Sequence, residues 1–67
     1  MTVDIYFEGD KIGGYEAERE GDTIQAKLPP YLMGKMIAFR YERVGVYYGR
    51  GTVTKSGINI EQVTWIK

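Results

Sequence analysis

Hydrophobic and polar positions alternate along most of this chain with a period of two, the signature of half-buried β-strands. From Thr2 to Glu8, Val3, Ile5 and Phe7 fall on one face and Asp4, Tyr6 and Glu8 on the other. Gly9-Asp10-Lys11 begins a turn, and Gly13-Gly14 follows just beyond Ile12. A second run, Gly14 to Glu20, sets Tyr15, Ala17 and Arg19 against a row of Glu16, Glu18 and Glu20. Same-face neighbours on a strand lie about 7 Å apart, so three carboxylates in a row must face solvent or meet countercharge. Such a row reads as a solvated face that discourages edge pairing, or as a docking stripe for a basic partner. After Glu20-Gly21-Asp22, the run Thr23 to Leu28 places Ile24, Ala26 and Leu28 inward. Residues 2–28 thus predict a three-stranded meander.

Pro29-Pro30 ends that meander, because neither residue can donate to a strand ladder. Tyr31, Leu32 and Met33 suffice for one turn of 3₁₀ helix stopped by Gly34, and their apolar side chains are candidates to plug an open end of the sheet. Lys35 to Val44 predicts a fourth, long and bent strand, with Ile37, Phe39 and Tyr41 on one face and Met36, Ala38, Arg40 and Glu42 on the other. Val46 to Thr54 predicts a fifth. Its Gly49 and Gly51 mark a bulge, a bend, or a close approach by another backbone or a ligand. Lys55-Ser56-Gly57 forms a hairpin turn into a last strand, Ile58 to Ile66. There the alternation changes phase between Ile58/Ile60 and Val63/Trp65, which a bulge near Glu61-Gln62 would reconcile.

Together these runs predict an all-β domain over residues 1–67: a five- to six-stranded antiparallel curled sheet or partly open barrel. An SH3-like barrel is the first expectation and an OB-like barrel the second, since no helix of useful length fits between the strands. A dimer that swaps hairpins is a third.

Composition changes the picture in three ways. A chain of 67 residues buries only about 60 % of its unfolded surface, and with no cysteine or histidine it has no disulfide or Cys/His zinc site to staple it. The remaining routes to stability are a well-packed sheet or self-association. No apolar run approaches the roughly 18 residues of a spanning helix, and the start lacks the basic, then apolar pattern of a signal peptide, so a cytoplasmic, non-membrane protein is expected. The net charge of zero conceals a division. Residues 1–34 hold three basic and seven acidic groups (3 − 7 = −4), and residues 35–67 hold six basic and two acidic (6 − 2 = +4). Either the halves form an acidic and a basic side of the fold, or they interleave and cancel.

Catalytic chemistry finds few candidates. The chain has neither a histidine base nor a cysteine nucleophile, and Ser56, the single serine, sits in a hairpin turn. The glycine pairs lack dinucleotide or P-loop spacing, and neither Asp10 nor Asp22 starts a calcium loop. No enzyme activity, metal or cofactor is expected.

The stretch Phe39 to Gly51, FRYERVGVYYGRG, is the place where aromatic and basic residues concentrate. Phe39 and Tyr41 belong to the apolar face of their strand. The candidate binding residues are Tyr47, Tyr48 and Arg50, flanked by Arg40, Arg43, Lys35 and Lys55. Tyrosine and arginine are enriched in interface hot spots, so the leading expectation is a small interaction module that self-associates or docks on a protein partner. The same ingredients, aromatic platforms beside cations, also suit single-stranded nucleic acid, and this is the alternative.

Overall fold

The computed structural model describes residues 1–66 and shows six antiparallel strands and one 3₁₀ turn: β1 (Thr2–Phe7), β2 (Asp10–Glu20), β3 (Thr23–Ala26), η1 (Pro30–Leu32), β4 (Met36–Glu42), β5 (Val46–Thr54) and β6 (Gly57–Trp65). Around the barrel the order is β1-β2-β3-β6-β5-β4, and β4 closes back onto β1. The expected curled antiparallel sheet is present as a fully closed barrel of the small SH3/OB-like kind. Every strand has a neighbour on both sides, but β3 is short and pairs only with Ala17–Glu20 of β2 and Gly57–Asn59 of β6, so the rest of those two strands is paired on one side.

The apolar faces read for β1, β3 and β4 turn inward. Val3, Ile5, Ala17, Ile24, Ile37, Phe39, Tyr41, Val53 and Ile58 are buried together with Leu32. Of the three residues expected to plug the barrel, Leu32 alone does so; Tyr31 and Met33 are exposed. A single 3₁₀ turn can aim only one of three successive side chains at the core, because they project about 120° apart. The turn is tied to β5 by hydrogen bonds from Gly34 N–H to the Val53 carbonyl and from Val53 N–H to the Lys35 carbonyl.

Two bulges shape the barrel. In β6, Arg50 pairs with Gln62 and the next residue, Gly51, with Ile60, which leaves Glu61 as the extra residue. The bulge predicted from the phase change is therefore real, and it brings Val63 and Trp65 opposite Gly49 and Tyr47, on the same inner face as Ile58. The other lies in β2, where Ile5 pairs with Gly13 and Tyr6 with Lys11, leaving Ile12 extra. This bulge is why the sequence pattern places the strand start at Gly14 whereas pairing begins at Asp10. Alternation breaks at Ile12, although the backbone continues in the ladder. The β1–β2 connection is only Glu8-Gly9, both with positive φ (52° and 86°), as a two-residue hairpin turn of type I′ requires.

Gly49 and Gly51 carry the bend of β5. A Cβ on Gly49 would overlap the Gln62 carbonyl and the Phe39 ring, and one on Gly51 would overlap the Asn59 carbonyl and the Ile58 side chain. The close approach expected at these glycines is made by β6 and the core, so the space is filled by the chain itself. Gly57, with φ 141°, does the same at the β3–β6 seam, where a side chain would strike the Ile24 carbonyl.

The strand order also decides how charge is arranged. The first meander, β1–β3, and the second, β4–β6, form two contiguous walls that meet only at the β1/β4 and β3/β6 seams. The two halves of the sequence thus form separate walls, and their charges meet at the β1/β4 seam, where Arg40 pairs with Asp4. Glu16, Glu18 and Glu20 are all exposed on β2, three strands around from β5 in a ring of six.

Candidate binding groove

The outer surface of β1, β4, β5 and β6 is built from two neighbouring cross-strand rows. One runs Tyr6, Ala38, Arg50, Gln62, and the next runs Asp4, Arg40, Tyr48, Thr64. Every position in these rows but one carries a side chain of some length. The exception is Ala38, whose methyl group leaves a depression. The result is an open groove of about 760 Å³ lined by Tyr6, Ala38, Tyr48, Arg50, Gln62 and Thr64, with Phe39 and Gly49 also contributing. Tyr48 is 45 % exposed, so an aromatic face is available beside the groove.

Tyr48 does not stand loose. The Arg40 guanidinium lies 5.9 Å from its ring centroid, and Arg40 Nε donates to the phenol oxygen at 3.3 Å. Arg40 Nη2 donates to Glu42 Oε1 at 2.6 Å, and Nη1 lies 3.7 Å from Asp4 Oδ2. The hydrogen bonds to Glu42 and then to Tyr48 hold the Arg40 guanidinium above its ordinary pKa. Arg40 therefore acts as a bracket for Tyr48, its charge answered by two carboxylates. Lys11 adds a 3.8 Å contact to Asp4. Arg50 is exposed and has no ion-pair partner among the described residues.

The seven residues singled out from the sequence come to rest in three places. Tyr48, Arg50 and Arg40 share the groove face, as the period of two requires. Tyr47 points to the opposite, inner face, where its ring stacks on Tyr41 at 5.0 Å and 13° and lies 6.4 Å from Trp65. Arg43 sits in the β4–β5 turn beside that aromatic row. Lys35 precedes β4 and Lys55 occupies the β5–β6 turn, both at the barrel end closed by Leu32. No single basic and aromatic patch unites all seven.

Sequence reasoning missed Tyr6, Ala38, Gln62 and Thr64 as groove residues. The outward phase of Tyr6 and Ala38 was legible, but their adjacency depends on the β1–β4 closure, a long-range feature. Among the described residues, no group of three or more His, Cys, Asp or Glu side chains is arranged to hold a metal ion. No helix among them is long and apolar enough to cross a membrane. No family model, curated protein or solved structure matches this chain.

Proposed function

We propose that this chain is a non-enzymatic interaction module that seats an extended segment of a protein partner in the groove over Ala38. The observation that carries the reading is the pit at Ala38, between Tyr6 and Arg50 in its row and beside the bracketed Tyr48. A segment laid there covers tyrosine ring faces, meets the amide of Gln62 and the hydroxyl of Thr64, and sets an acidic group against Arg50. Tyrosine offers a large contact area on only two side-chain torsions, so little entropy is lost when it is covered. The Arg40 bracket lowers that cost further by holding Tyr48 in place before binding. The lack of histidine and cysteine, the commonest general base and a strong nucleophile, supports a non-enzymatic role.

Single-stranded nucleic acid on the same face is the second reading, favoured by the shared face of Tyr48 and Arg50. The charge arrangement weighs against it. Phosphate binding draws its strength from several cations that release counterions together, and here Asp4 and Glu42 already answer Arg40.

The test is to select displayed random peptides against the folded protein and, in parallel, to titrate oligothymidylate at low salt. The reading expects peptides that bind saturably and shift the resonances of Tyr6, Ala38 and Tyr48. An oligonucleotide that binds the groove with a log–log salt slope of about −3 or steeper, with no peptide recovered, would overturn it.

A further inference from the structure

At the end of the barrel opposite Leu32, the row Tyr41, Tyr47, Trp65 runs from the core out to solvent. Arg19 enters this mouth from β2. Its Nε donates to the Gly21 carbonyl at 3.0 Å and its Nη1 to the Tyr41 hydroxyl at 2.5 Å. Two of its five N–H groups are thereby used and its orientation is set, while three donors remain. Arg43, from the β4–β5 turn, lines the same mouth. Two cavities of about 340 and 250 Å³ meet there, and both are lined by Arg19 and Arg43. Neither arginine has a carboxylate within ion-pair distance among the described residues, in contrast to Arg40.

The two cavities differ in their walls. The larger is lined also by Met1, Ala17 and Glu18, and the Glu18 carboxylate repels an anion. The smaller is lined by Tyr41, Val44 and Tyr47 beside the two arginines, with no acidic side chain. Val44 adds an exposed apolar rim. Two guanidinium groups, one already immobilised, beside half-buried Tyr47 and the exposed Val44 form a receptor for a flat organic anion: the forks match carboxylate or phosphate oxygens, and the Tyr47 edge and the Val44 side chain contact its apolar body.

We propose that this mouth, with Arg19 and Arg43 as its cationic pair, is an anion site for a small carboxylate or phosphate carried on a planar group. It lies on a different surface from the groove over Ala38, so either can fail without the other. At about 250 Å³, the cavity has room for a single ring with its anionic substituent.

The experiment is a titration of the full chain with phenyl phosphate, benzoate, inorganic phosphate and neutral benzamide, read by the resonances of Arg19, Arg43 and Tyr47 and by Trp65 emission. Phenyl phosphate and benzoate are expected to bind saturably at millimolar concentration, inorganic phosphate more weakly, and benzamide not at all. Arg43→Ala, in an exposed turn, is expected to weaken phenyl phosphate about tenfold, with Arg43→Lys recovering part of the loss and Arg43→Gln none. The proposal is overturned by the absence of saturable shifts at about 10 mM ligand, by equal binding of benzamide, by affinity unchanged in both Arg43→Ala and Arg43→Gln, or by shifts confined to Arg50.

Discussion

Ala38 and Arg50 stand directly opposite each other on β4 and β5. A methyl group facing an extended guanidinium side chain is what opens the groove, since a longer residue at position 38 would fill the space between Arg50 and Tyr6. Everything else about the candidate surface depends on the barrel holding that pair in register.

That register depends first on Gly49. Gly49→Ala places a methyl group against the Gln62 carbonyl and the Phe39 ring, neither of which can move without disturbing the β5–β6 bulge or the core. A loss of about 2 to 3 kcal/mol is expected, which for a domain of this size is roughly 10 to 20 °C in Tm. Thermal unfolding followed by circular dichroism checks it. A loss under about 0.5 kcal/mol would mean that β5 relaxes freely there.

How much of this was legible in the sequence follows from which interactions are local. The inner faces of β1 and β4 were readable because Val3/Ile5 and Ile37/Phe39/Tyr41 follow a period of two set by the backbone alone. The Glu61 bulge was readable too, because Ile58, Ile60, Val63 and Trp65 cannot share a face without an extra residue. The Ile12 bulge was hidden, since the Gly13-Gly14 pair beside it reads equally well as a turn. The groove was legible only in part. Tyr48 and Arg50 share a face by periodicity, but Tyr47, adjacent in sequence, belongs to the core side for the same reason. Tyr6 joins them through its pairing with Ala38, which spans half the chain, and no local pattern encodes that β1 and β4 become neighbours.

The buried phenol of Tyr41 gives a second prediction. Its hydroxyl accepts from Arg19 across the barrel mouth, a charge-assisted bond at a site with little water. Tyr41→Phe and Arg19→Met should each cost about 1 to 2 kcal/mol, and the double variant should cost about 1 kcal/mol less than their sum. Urea unfolding of the four proteins measures the coupling. Strict additivity would show that the two groups do not interact in solution.

Val44 has a φ of 64°, a left-handed conformation that its β-branched side chain disfavours, and the side chain is fully exposed. Replacement by asparagine, which tolerates this region, should stabilise the protein by about 0.5 to 1 kcal/mol with no loss of core burial. An unchanged or lower denaturation midpoint would contradict the strain argument.

The acidic row of β2 and Arg50 on the opposite strand β5 also bear on self-association. The exposed Glu16, Glu18 and Glu20 of one copy can face the Arg50 side of another in a head-to-tail contact. Sedimentation should show concentration-dependent association at low ionic strength that disappears at about 0.5 M salt, where the Debye length falls to roughly 4 Å. Arg50→Gln should remove it as well. Association that strengthens with salt would point to an apolar contact in place of this one.

The most direct test of the groove is to fill it without adding charge. Ala38→Gln puts a longer neutral side chain on the outer face of β4 and leaves the inner residues Ile37 and Phe39 untouched. With a peptide selected against the natural protein, affinity is measured by calorimetry for both proteins, and folding is checked by Tm. An interaction surface centred on Ala38 predicts at least about a tenfold loss of peptide affinity with Tm changed by less than about 5 °C. Undiminished peptide affinity in a folded Ala38→Gln protein would contradict it.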